Sequence, residues 1–203
     1  MRRRFRKFFG WLHKHDGGKP KVSLRQGHSL SLENERFFPI IIEYVNKGKK
    51  ATIPLRGNSM RPFLESERDL AVLTTPDHLK VGDPVLAEIT PGHYVLHRIW
   101  KQEGDNVTLM GDGNLSFEYC KVEDFRAGVI GFFRKGSLKL DRTDGLKWKV
   151  YSRFWVWMTP IRRWLLAAYR YIWLNIFPLR SHPKQNKEAL EKAVEKYGYI
   201  KKH

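Results

Sequence analysis

From Ala51 onward the sequence breaks into short alternations of apolar and polar residues separated by glycine, proline and aspartate. This punctuation restricts the possible folds more than any other feature. Thr52–Leu55, Asp69–Thr74, Pro84–Ile89, His93–Lys101, Asn106–Met110 and Ala127–Arg134 all have strand length and a period near two. No helical segments alternate with them, and the stretch contains neither a glycine-rich phosphate loop nor an internal repeat. The expected fold is therefore mainly β, a curved and largely antiparallel body spanning residues 51–140.

The flanks read differently. Residues 1–31 form a basic arm and linker: Phe5, Phe8, Phe9 and Leu12 stand at helical spacing among arginines and lysines, and Asp16–Pro20 is a flexible break. The start lacks the apolar run and small-residue cleavage site of a secretory leader. The pattern predicts a helix over 32–47 within a lead-in segment 32–50, stopped by Asn46-Lys-Gly48, with Pro39 inside it as a cost that is tolerable mainly in a first turn. Residues 141–180 are rich in Trp, Tyr and Arg, and their uncharged runs are shorter than the roughly 20 residues a spanning helix needs. Thr159-Pro160 predicts a helix start with Thr as the cap. On a helical wheel Arg162, Arg163 and Arg170 share one side and Ile161, Trp164, Leu165, Ala168 and Ile172 the other, a pattern suited to a membrane interface or to a packed helix. Residues 181–203 read as a charged helical tail.

Charge follows the same division. The chain carries +17, yet residues 51–135 hold ten Lys and Arg against twelve Asp and Glu, while 1–50 hold thirteen against four and 136–203 fifteen against five. A near-neutral body with cationic ends suits an anionic membrane surface; no helix-turn-helix pattern accompanies the basic segments, so no specific nucleic acid is expected. Cys120 is the only cysteine, which rules out an intramolecular disulfide, and the eight histidines show no zinc-protease spacing. Neither metal nor cofactor is proposed.

The chemistry concentrates at Arg56-Gly-Asn-Ser-Met-Arg-Pro62. Gly57 and Asn58 tolerate the backbone of a sharp turn, which would lift the Ser59 hydroxyl clear of a sheet with free N–H groups beside it. A serine hydroxyl needs a base within hydrogen-bond reach, and His97, in Tyr94–Trp100, is the candidate. An acid would orient the imidazole; Asp112 and Glu118 are both available, with Asp112 equally suited to capping its own loop.

Gly57-Asn-Ser-Met-Arg-Pro62, Gly82-Asp-Pro-Val85, His97-Arg-Ile99 and Gly111-Asp-Gly-Asn114 occur in this order. The chain thereby resembles the type I signal peptidases and the related SOS-repressor-type self-cleaving serine peptidases over roughly residues 51–135. The resemblance implies their curved β body, here with amphipathic helices at both ends, and a serine nucleophile at position 59. The bacterial members and the repressors place a lysine where this chain has His97, so the implied pair is Ser–His, as in the endoplasmic-reticulum and archaeal type. In those relatives a later Asp orients the histidine, and Glu118 stands at that offset. Asn58, Met60 and Pro62 are expected to shape the substrate pocket and oxyanion site around the Ser59 N–H, and Asp83 and Arg98 to fix strand geometry. The expected activity is endopeptidase cleavage of a polypeptide with small residues near the scissile bond, peripheral to a membrane on its cytoplasmic side. The rival of another class is a non-catalytic binding module recruited to anionic lipid. Oligomeric state is not legible.

Overall fold

A computed structural model of the protein describes residues 28–176 together with residues 191, 195 and 196. The expectations for the basic arm and almost all of the tail lie outside the described residues.

Helix α1 (His28–Asn46) leads into strands β1 (Ala51–Pro54), β2 (Leu70–Thr74), β3 (Pro84–Thr90), β4 (His93–Glu103), β5 (Asn106–Met110), β6 (Glu118–Lys121), β7 (Phe125–Phe133) and β8 (Leu140–Arg142). All pairings are antiparallel, in the order β1-β2-β7-β3-β4-β5-β6, with β8 also on β7. The mainly β, antiparallel architecture matches the sequence expectation. Register shifts at Val72/Leu73, Leu86/Ala87, Glu88/Thr90 and Ile99/Lys101 supply the curvature. Pro54 donates no ladder hydrogen bond and sits on β1, at the sheet edge.

The alternation of β side chains sorts the core onto two faces. On one, Ile41 and Val45 of α1 pack with Ala51, Ile53, Leu73, Phe132 and Trp148. On the other, Val85, Val95, Ile99, Leu109 and Phe125 form a smaller cluster. The helix begins at His28, ahead of the expected residue 32, and Pro39 lies inside it, beyond the first turn; it is on the exposed side, where water can take the carbonyl that loses its donor.

Beyond β8 the expected single helical segment is broken. Helix α2 (Leu146–Trp157) is followed by a 3₁₀ turn (Thr159–Ile161), α3 (Arg162–Ala168), a π-helical turn (Tyr169–Trp173) and the short α4 (Leu174–Ile176). Thr159 does not cap a helix: its hydroxyl accepts from the Trp100 indole at 3.1 Å and donates to the Val156 carbonyl at 2.5 Å. Among the described residues no helix is long and apolar enough to cross a membrane.

Candidate active site

Strand period and register place the candidate base. His97 shares the β4 face that carries Val95 and Ile99, opposite Val85 on β3, and is 3% exposed. In the β4/β5 ladder Arg98 faces Met110, so the next pair is His97 with Gly111. Leu109, two residues before that glycine, faces Glu118 on β6. Glu118 is thus diagonal to His97 across a position with no side chain, and its Oε2 lies 2.5 Å from His97 Nδ1. In a neutral imidazole, an ionised carboxylate at Nδ1 holds the hydrogen there and leaves the lone pair on Nε2. Between the two acids left open by the sequence, the structure puts Glu118 on the imidazole.

The other ring nitrogen points toward the Ser59 turn. A Cβ built on Gly111 would stand 3.0 Å from His97 Nε2 and 2.5 Å from the Ser59 carbonyl oxygen. The serine turn therefore enters the gap that Gly111 leaves. The Gly113 N–H donates to that Ser59 carbonyl at 2.7 Å, and a Cβ on Gly113 would meet the Asn58 carbonyl at 2.7 Å. Gly57 has φ +89°, as a sharp turn before Ser59 requires. Ser59 itself is half-buried, and among the described residues neither its hydroxyl nor its N–H has a hydrogen-bond partner. No bond joins the hydroxyl to Nε2 in this state.

Met60 is 6% exposed and belongs to the larger core cluster, directly behind the Ser59 turn. Asn58 is exposed; Pro62, half-buried, follows a cis peptide bond. Asp112 does not reach the histidine. Period two sends Arg98 to the face opposite His97, where its Nε and Nη2 donate to the two carboxylate oxygens of Asp112 at 2.8 and 2.7 Å. Arg98 Nη1 donates to the Gly82 carbonyl at 2.7 Å and to Ser152 Oγ. Burial works against the Arg98 charge, but Asp112 outweighs it and holds the guanidinium above its ordinary pKa. Asp83 also stays structural: it accepts from the Lys80 N–H at 3.0 Å, and burial raises its carboxyl. The four sequence motifs are therefore one physical cluster, in which Arg98 ties the Gly82 turn to Asp112 and Gly113 ties the Asp112 loop to Ser59.

Sequence reasoning missed what backs this loop. The Tyr151 hydroxyl donates to Asp112 Oδ2 at 3.2 Å, the Trp155 indole to the Asp112 carbonyl at 3.1 Å, and the Ser152 hydroxyl to the Gly82 carbonyl at 3.0 Å. Burial and then the Asp112 carboxylate push the Tyr151 phenol well up, so it remains a donor. Trp148 lies over the Arg98 guanidinium at 4.8 Å. Arg162, expected on a common side with Arg163 and Arg170, turns inward and is 2% exposed; it donates to the Trp155 carbonyl at 2.9 Å and to the Met110 sulfur at 2.6 Å, and burial lowers its pKa. Arg170 reaches the Gly113 carbonyl at 3.4 Å. Only the wheel positions of Trp148, Ser152 and Trp155 on one face of α2 could have signalled the contact.

Gly111 provides a direct test. Gly111→Ala forces either the Ser59 carbonyl or the imidazole to move, because 2.5 Å to a backbone oxygen is closer than real Cβ contacts come. A shift near 1 Å at a reacting pair costs about 10²-fold in rate. If Ser59 is acylated as the resemblance implies, the expected result is that loss in acylation rate, with the fold retained by circular dichroism.

Among the described residues no group of His, Cys, Asp and Glu side chains is arranged to hold a metal ion. No protein-family model matches the chain, and no characterised protein matches it in sequence.

Proposed function

We propose that the chain is a serine endopeptidase of the signal-peptidase-like type, in which Ser59 is the nucleophile, His97 the base and Glu118 the group that orients it. One observation carries the reading: a buried histidine has Nδ1 fixed on a carboxylate while Nε2 faces the gap that receives the serine turn. The ordered motifs and their resemblance to that family support it.

On this reading Nε2 takes the Ser59 proton as Oγ attacks the scissile carbonyl carbon. Glu118 stabilises the imidazolium that forms, and the Ser59 N–H donates to the developing oxyanion. The imidazolium then protonates the departing amine, leaving an acyl-Ser59 ester. Water, deprotonated by Nε2, hydrolyses the ester and restores the serine. The serine–histidine contact tightens when substrate fills the gap, since such bonds are often long in unliganded sites. Substrates are extended polypeptides with small side chains near the cleaved bond, and the cationic ends hold the enzyme peripherally at an anionic membrane surface.

The test is covalent. A fluorophosphonate probe should label the full chain and leave Ser59→Ala unlabelled, with mass spectrometry placing the adduct on Ser59. Labelling that persists undiminished in Ser59→Ala would overturn the assignment.

A further inference from the structure

Helix α2 is apolar on both sides. Its inner side, with Trp148, Ser152 and Trp155, is buried against the site loop. Its outer side exposes Leu146, Val150, Phe154 and Trp157, and the exposure continues through Ile161 to Trp164, with Trp157 and Trp164 75% and 73% exposed. Large apolar side chains concentrated in this way on a surface mark a docking face.

Three features choose the partner. The outer residues of α2 fall within about a quarter of the helix circumference, with Lys147, paired to Asp141 at 2.7 Å, at one edge and Arg153 at the other. From Gly145 to Ile176 the sequence contains no acidic residue, and it holds six Lys and Arg. Arg153 and Arg163 are exposed, and neither has an ion-pair partner among the described residues. A second copy would bring a like-charged face against this one, which Coulomb repulsion opposes. An anionic bilayer accepts both components: apolar rings enter the boundary between headgroups and acyl chains, tryptophan prefers that depth, and arginines meet phosphate.

We infer that the outer face of α2 through α3 is a lipid-docking surface for anionic bilayers. It rests on the membrane-surface part of the reading above and not on the catalytic part. Because the inner side of α2 bonds to Asp112 and Gly82, docking through the outer side fixes how the Ser59 gap is presented to substrate at the bilayer.

The experiment uses the full chain carrying Ser59→Ala, so that catalysis plays no part and a failure of the peptidase assignment leaves the result intact. Flotation is measured with vesicles of phosphatidylcholine mixed with phosphatidylglycerol, and with phosphatidylcholine alone. The protein is expected to float with the mixed vesicles and much less with the neutral ones. Trp157→Gln with Trp164→Gln should weaken partitioning by at least about tenfold, since each removes a large apolar group from lipid. The thermal unfolding midpoint should not change, because both side chains are exposed in the free protein. Flotation unchanged by the double substitution would assign binding to another part of the chain and overturn the inference. Absence of binding to mixed vesicles, or a dimer in light scattering that the double substitution dissociates, would overturn it as well.

Discussion

Replacing His97 by alanine is expected to slow acylation of Ser59 by about 10²–10⁴-fold, the usual contribution of a positioned general base. The side chain is buried between Val85, Val95 and Ile99, so the measurement is made beside a thermal melt that separates lost chemistry from lost packing. Glu118→Gln is the sharper companion. The carboxylate is partly exposed and holds only Nδ1, so the amide should leave the fold intact while losing the charge that stabilises the imidazolium. Its expected cost is smaller, about 10²-fold. The two losses should not add in the double variant, because the residues act as a unit. A His97→Ala rate equal to wild type would remove the histidine from the mechanism.

The second large effect concerns stability. Asp112→Ala is expected to cost about 3–5 kcal/mol, because Arg98 is 1% exposed and would be left without its counter-charge. Tyr151 would lose its acceptor in the same step. For a chain of this size the unfolding midpoint should drop by roughly 10 °C. Exchanging both partners for apolar residues, Arg98→Met with Asp112→Leu, should cost less than Asp112→Ala alone, since neither charge is then buried unpaired. A midpoint for Asp112→Ala within 1–2 °C of wild type, about the shift that a fraction of a kcal/mol produces, would show that the pair does not anchor the loop.

The contrast between these two acids shows what the sequence could convey. Strands β2 to β5 and β7 were legible for two reasons: β4 and β5 alternate in burial, while β2, β3 and β7 are short apolar runs buried on both faces and bounded by turn residues. Strand β6 was not: Glu118-Tyr-Cys-Lys121 is a short edge strand with half-exposed and exposed positions in alternation, and nothing in its composition separates it from a loop. Its pairing with β5 decides which acid meets the histidine, so the spacing alone left Asp112 and Glu118 equal. Arg162 was misplaced for a related reason. A helical wheel sorts residues by polarity, whereas Arg162 is buried because the Trp155 carbonyl, the Met110 sulfur and the Trp155 ring 5.3 Å away offer it a site that no local pattern records. The serine turn was readable because glycine is required at each side of it: a positive φ at Gly57 and, from a distant loop, close approach at Gly111 and Gly113 leave few alternatives.

The bonds from Tyr151, Ser152 and Trp155 set the boundary of the smallest working piece. All four motifs lie between Gly57 and Asn114, and a fragment ending after β8 would contain every one of them. It would nevertheless leave the Asp112 carbonyl without its indole donor, Arg98 without its aromatic lid and the Gly82 turn without the serine that braces it. Trimming to the β body would therefore discard part of the scaffold that holds the proposed site, and the unit bonded to it runs on through α3 to Arg170.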